Sequence, residues 1–152
     1  FEIMKVVLQR VSEANVKVDG EKERKIGTGL MLLIGVDEND ETSDADWLVK
    51  KVLDVRVFSD EAGKMNHSVK EINGEILCIS QFTLISDYKK GNRPSYIKAA
   101  KPDKAIPLFD YFKEELKTSG LKIESGIFGA DMKVSLTNDG PVTLVFDSKM
   151  KL

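Results

Sequence analysis

The chain has 152 residues, 41% of them hydrophobic and 32% charged, with a formal net charge of −2. That is the make-up of one globular domain large enough to bury a core, and it excludes a protein that gathers polyanions by bulk charge alone. A single cysteine excludes an internal disulfide and fits a reducing cytoplasm.

The longest apolar run, residues 30–34, falls far short of the about 20 residues of a membrane-spanning helix. The start lacks the basic and apolar pattern of a secretory signal. Phe1-Glu2-Ile3 read as an addition ahead of a natural start at Met4, and one domain is expected over residues 4–152.

Residues 4–10 are short, apolar and β-branched and read as a strand; residues 15–18 alternate and end in the turn signal Asp19-Gly20. Residues 26–36, with glycines at 27, 29 and 35, read as a buried strand rather than a helix. A helix follows, with Ser43 and Asp46 at capping-box spacing and Ala45, Leu48, Val49 and Val52 on one face. Residues 55–58 alternate as a strand, 59–64 are a polar loop, and 75–84 are the next strand. Residues 87–102 have no period and read as a long ordered loop, a length that is often functional. Asp103 can cap a second helix reaching about Thr118, with Ala105, Leu108, Phe109, Phe112 and Leu116 buried, Pro107 near its first turn and Gly120 past its end. Residues 122–124, 133–136 and 142–146 are β again. The expected architecture is a mixed, largely antiparallel sheet system with two helices on one side.

Several chemistries are absent. His67 is the one histidine, in a polar stretch that reads as a solvated loop, and Cys78 reads as a buried inert thiol. No zinc spacing, Walker loop or dinucleotide fingerprint occurs, so no metal and no cofactor is expected. An enzyme built this way needs a substrate that hydrolyses readily and must lean on backbone groups.

Three segments carry possible chemistry. Ser80-Gln81-Phe82-Thr83-Leu84 closes a strand; its parity sets Gln81 and Thr83 on one face, either lining a pocket mouth or simply meeting solvent. Asn138-Asp139-Gly140-Pro141-Val142-Thr143 reads as a hairpin turn. Pro141 sits awkwardly there, and a Gly-Pro bond can be cis, which would aim two carbonyls the same way as a rigid device for reading a ligand. Between Lys89 and Lys104 lie six basic residues against Asp103 alone, interleaved with Tyr88 and Tyr96; this is either a solvated loop or a surface that holds phosphates and stacks a base.

These segments, with Gly91-Asn92-Arg93-Pro94-Ser95, Phe128-Gly129-Ala130-Asp131-Met132 and the opening Met4-Lys5-Val6-Val7-Leu8-Gln9-Arg10-Val11, resemble the D-aminoacyl-tRNA deacylase family, in order and over nearly the whole chain. The resemblance implies a three-layer β/β/α fold acting as a homodimer on aminoacyl-tRNA in the cytoplasm. It implies that Gly140-Pro141, in the cis form, enters the partner's pocket and leaves no room for an L side chain. D-aminoacyl-tRNA and glycine mischarged on an alanine tRNA are the implied substrates. Ser80, Gln81, Phe82 and Thr83 match the motif that anchors the amino group, the carbonyl and the terminal adenosine. Arg10 matches the arginine bracing the Gly-Pro loop, and Phe128, Met132 and Ala100 match the adenosine pocket and its wall. Lys89, Lys90, Arg93 and Lys98 are expected on tRNA phosphates. Gly129 stands where many members carry alanine, without expected consequence. Thr83 is either a nucleophile or an orienting group; with no base near it in sequence, the orienting role is favoured. The competing readings are a synthetase-type editing module, which would remove an L-amino acid, a non-catalytic RNA-binding protein, and a structural dimer.

Overall fold

The computed structural model describes residues 4–151; the reading of residues 1–3 lies outside that range. Strand β1 (Lys5–Val18) is the axis of the fold. It pairs antiparallel with β2 (Arg24–Ile26), with β3 (Gly29–Gly35) and with β8 (Met132–Asp147). Strands β6 (Glu75–Ser80) and β7 (Ile123–Ser125) continue the sheet beyond β3, all three parallel. A two-stranded ribbon, β4 (Phe58–Ser59) and β5 (Met65–His67), stands apart.

Helices α1 (Thr42–Asp54) and α2 (Pro102–Lys117) lie on one face of the sheet. Their apolar stripes meet Val6, Leu8, Leu30, Leu32, Ile34, Ile76 and Cys78 in the larger core. The alternate residues Met31, Leu77 and Ile79 point the other way and meet Val11, Ala14, Val16 and Ile26 in a second core. Strand parity thus makes three layers, because β1 is long enough for its second half, with β2, to curl over the back of β3 and β6. The expected mixed sheet with two helices on one side is what forms.

Several boundaries differ from the sequence reading. The first two β segments are one strand, and residues 26–36 are two, parted at Gly27-Thr28. The box that starts α1 is Glu41 and Asp44, whose Oδ2 accepts the Glu41 N–H at 2.8 Å; Ser43 and Asp46 lie inside the helix. Helix α2 is capped at Lys101, with Pro102 at its first position rather than Asp103 before it. Pro107 is in the second turn, on the exposed side, so only the Asp103 carbonyl loses a helical donor. The buried face of α2 is as expected. His67 is a strand residue beside the Glu71 carboxylate, at 3.4 Å, rather than a loop residue. Cys78 is fully buried, and burial pushes its thiol up to about 12.

The turn before α1 buries two carboxylates, Asp37 and Asp40. Asp40 Oδ2 accepts the Asp37 N–H at 2.6 Å, while its Oδ1 has no partner. Burial, and then the Asp44 and Asp37 charges, push Asp40 up to about 7 against the opposing Asp37 N–H and Lys104. The folded chain therefore holds this proton where the unfolded chain releases it near 3.8. Stability from this group is full below about pH 4 and is lost as pH rises to about 7, at about 1.4 kcal/mol per unit. Asp40→Asn should gain stability over the natural chain at pH 8 and much less at pH 4.5. Urea midpoints giving the same difference at both pH values would contradict this.

Candidate active site

The parallel strands β3, β6 and β7 end together, and their carboxyl ends form one side of the site, as is common for open sheets with parallel strands. The peptide after Ser80 leaves the strand: Gln81 donates its N–H to the Ile34 carbonyl at 2.8 Å, and residues 82–84 turn as a single 3-10 turn, closed by Leu84 N–H to Gln81 O at 3.2 Å. The strand therefore ends at Ser80 and does not run to Leu84, so Gln81 and Thr83 do not share a strand face. The two residues meet by a different route. The Gln81 side-chain amide donates to Thr83 Oγ1 at 2.6 Å. Gly35 makes room for this turn, since a Cβ there would meet Leu84 Cβ at 2.9 Å.

The partner of the Thr83 hydroxyl is thus an amide N–H, which cannot take its proton. Among the described residues no carboxylate or imidazole is hydrogen-bonded to Thr83. The geometry fits a hydroxyl held in one direction better than an activated nucleophile.

The other expected site residues lie on or next to neighbouring elements. The Phe82 ring is half exposed and meets Tyr96 edge to face, with centroids 5.1 Å apart. Ala100 is buried, and its N–H donates to Val36 O at 2.9 Å, just past the end of β3. Phe128 follows β7 and packs near Phe109, centroids 6.4 Å apart. Met132 packs on the second core; its sulfur fills the space above Gly126, which a Cβ would occupy. Gly126 escaped the sequence reading, and an isolated glycine after a short strand was its one signal.

Arg10 and Gly140-Pro141 are elsewhere. Residues 132–147 are one strand, not a hairpin, and both halves pair with β1. Gln9 faces Thr143 and Val11 faces Asn138, so residues 139–142 bulge out opposite Arg10 alone. The Gly140-Pro141 bond is cis, as the sequence reading allowed. The half-buried Arg10 guanidinium braces the bulge: Nε donates to Asp139 O at 2.9 Å and Nη1 to Val57 O at 2.5 Å. Val57 was expected inside a strand; it instead precedes β4 and offers its carbonyl.

Register measures the separation of the two parts. Arg10 pairs with Leu30 and Leu30 with Ile76, whereas Ser80 pairs with Ile34. Four residues of strand, about 13 Å, lie between the Gly-Pro end and the Thr83 end. One chain does not bring them together. Between them, on the face away from the helices, lie Val7, Leu33 and Val145, the last 56% exposed.

The loop 87–98 is pinned by two backbone bonds between Asp87 and Ser95, of 2.8 and 2.7 Å. Lys89, Lys90, Arg93 and Lys98 are exposed, and among the described residues no carboxylate pairs with any of them. No cluster of described side chains has the make-up of a metal site, and no described helix is long and apolar enough to cross a membrane.

A family model described as D-Tyr-tRNA(Tyr) deacylase matches residues 7–147. The chain is 56% identical to a D-aminoacyl-tRNA deacylase of Flavobacterium psychrophilum over 149 residues, 97% of this chain and 99% of the relative. It is 53% identical to one of Bacillus thuringiensis, over 96% of this chain and 100% of the relative. Among solved structures it is similar to the c-Myc DNA Unwinding Element Binding Protein, with a TM-score of 0.86 and 41% identity over 93% of this chain and 97% of that one. The fold is also that of a probable eukaryotic D-amino acid tRNA deacylase, with a TM-score of 0.83 at 19% identity over 95% and 99% of the two chains.

Proposed function

The chain belongs to the D-Tyr-tRNA(Tyr) deacylase family and is a hydrolase of the D-aminoacyl-tRNA ester; from that premise we propose that it proofreads chirality in the cytoplasm as a homodimer. Each pocket combines Ser80, Gln81, Phe82 and Thr83 of one copy with Gly140-Pro141 of the other. The carbonyls of the Gly-Pro segment stand against the substrate's α-carbon and exclude an L side chain, while D-amino acids and glycine on an alanine tRNA are accepted. Phe128, Met132 and Ala100 border the terminal adenosine. Lys89, Lys90, Arg93 and Lys98 meet tRNA phosphates, which their unpaired charges favour.

The observation that carries this reading is the separation of about 13 Å along the strands between two ends of one sheet, with its face away from the helices lying between them. A two-fold axis through the middle of that face brings each Gly-Pro end onto the other copy's Thr83 end, and Val7, Leu33 and Val145 supply the apolar contact. The test is deacylation of D-tyrosyl-tRNA and L-tyrosyl-tRNA side by side at nanomolar enzyme. Loss of the D ester alone is expected. Hydrolysis of the L ester at a comparable rate would favour a synthetase-type editing module.

The ester sits beside a ribose hydroxyl that can assist attack, so orientation and carbonyl polarisation suffice for chemistry. Water attacks, and Thr83 orients the ester from its hydroxyl and backbone N–H. Thr83→Ala should then lower the single-turnover rate by no more than about tenfold. A fall beyond about a thousandfold, roughly 4 kcal/mol, would return Thr83 to the role of nucleophile.

A further inference from the structure

A cavity of about 420 Å³ opens beneath the 87–98 loop, and Leu84 and Ile85, the residues right after Thr83, form part of its wall. Its size is that of a small-molecule site. The strap over it is held at three points: the Asp87–Ser95 bonds, the Tyr96 ring against Phe82, and Glu38 N–H to Lys98 O at 2.9 Å. The cavity is thus built into the fold.

Its lining is mixed in a particular way. Tyr88 and Ile97 line it and are 68% and 74% exposed, so the ring and the aliphatic chain are open to a ligand. Lys89 and Lys98 bring ammonium groups that form no ion pair with a carboxylate among the described residues. Asp87 brings an acceptor: its Oδ1 takes the Lys89 N–H at 3.0 Å, which leaves Oδ2 for a ligand. An aromatic face, free cations and a carboxylate together match the three parts of a nucleotide: its base plane, its phosphate and an exocyclic amino group.

We propose that this cavity is a second nucleotide subsite, which takes the cytidine that precedes the terminal adenosine at the 3′ end of tRNA. Tyr88 stacks on the base, Asp87 accepts from the cytosine amino group, and Lys89 and Lys98 hold the phosphate. The inference rests on the reading that the terminal adenosine binds beside Thr83, whose chain neighbours form the wall of this cavity. It makes the substrate's penultimate nucleotide, and not only the esterified adenosine, part of what the enzyme recognises.

The test compares kcat/KM for the D-tyrosyl ester of adenosine with that of the cytidylyl-adenosine and uridylyl-adenosine dinucleotides, for the natural chain and for Tyr88→Ala and Tyr88→Phe. Added cytidine should raise kcat/KM by at least about tenfold, and uridine, which lacks the amino group, by less. Loss of stacking is worth roughly five- to a hundredfold, so Tyr88→Ala should collapse the dinucleotide preference by that factor while Tyr88→Phe keeps it. Because each preference is a ratio measured on one protein, partial unfolding does not mimic the result. An unchanged ratio in Tyr88→Ala, or equal gains from uridine and cytidine, overturns the subsite while the deacylase reading stands. No hydrolysis of any D-tyrosyl ester, tRNA included, overturns both.

Discussion

Gly140→Ala should lower deacylation of D-tyrosyl-tRNA by at least about a hundredfold, roughly 2.7 kcal/mol of transition-state stabilisation, in a chain that still folds. Gly140 sits at φ +125°, a region that L side chains rarely adopt. A Cβ there falls 2.7 Å from Arg10 Nη2 and 3.1 Å from Val142 Cγ2. A guanidinium is usually a forgiving neighbour, since it ends a flexible stem. This one is not free to move, because its other nitrogens hold Asp139 O and Val57 O. The bulge must therefore shift, or Arg10 must give up bonds of the charged kind, worth about 1.5–3 kcal/mol each. Strain of this sort is typically about 1–3 kcal/mol, and it falls on the exposed residues 139–141 and on Arg10 and Val142 at the rim of the larger core, none of them a fully buried core residue, so the fold survives it. What changes is where the carbonyls of residues 139–141 point, and an atomic misplacement of about 1 Å is enough to cost a hundredfold. Circular dichroism and urea unfolding check the fold; single-turnover hydrolysis checks the site. Activity within about threefold of the natural chain would mean that the bulge does not touch the substrate.

The helices were legible in the sequence because each buries one face against one layer, so a 3.6-residue period survives in the order of Ala105, Leu108, Phe109, Phe112 and Leu116. The sheet was legible as β-rich but not in its pairing. Asp139-Gly140 between two alternating segments has the same local chemistry whether the flanks pair with each other or with a third strand. The choice of β1 as the partner of both flanks is non-local. The end of β6 was misread for a related reason: Phe82 and Leu84 are as apolar as a strand requires, and the turn is set by Gly35 on the neighbouring strand. Ser80, Gln81, Phe82 and Thr83 came from motif resemblance, and their contacts did not. The Gln81–Thr83 bond depends on that turn, and the Arg10–Val57 bond on a carbonyl that carries no signature in sequence.

Mixing two inactive variants should restore activity. Gly140→Ala spoils one end of the sheet. Gln81→Ala combined with Phe82→Ala spoils the other: it removes the amide that holds Thr83 Oγ1 and the ring that meets Tyr96. The main-chain bonds of Gln81 and Leu84 remain, so the turn keeps its path. Each variant alone should fall below about a hundredth of natural activity, roughly 2.7 kcal/mol. In the proposed two-fold assembly every site draws on both copies. A mixed dimer then contains one site with both spoiled ends and one with neither. Random assembly makes about half of the dimers mixed, each with one of two sites intact, so about a quarter of natural activity should return. Coexpression, or unfolding and refolding of the mixture, supplies the exchange, and the two variants assayed together without exchange are the control. If the Gly-Pro segment served the Thr83 end of its own chain, no mixture would regain activity, because every chain carries a defect. A recovered quarter would establish the shared site, and with it the reason that two ends of one sheet, about 13 Å apart along the strands, can still form a pocket.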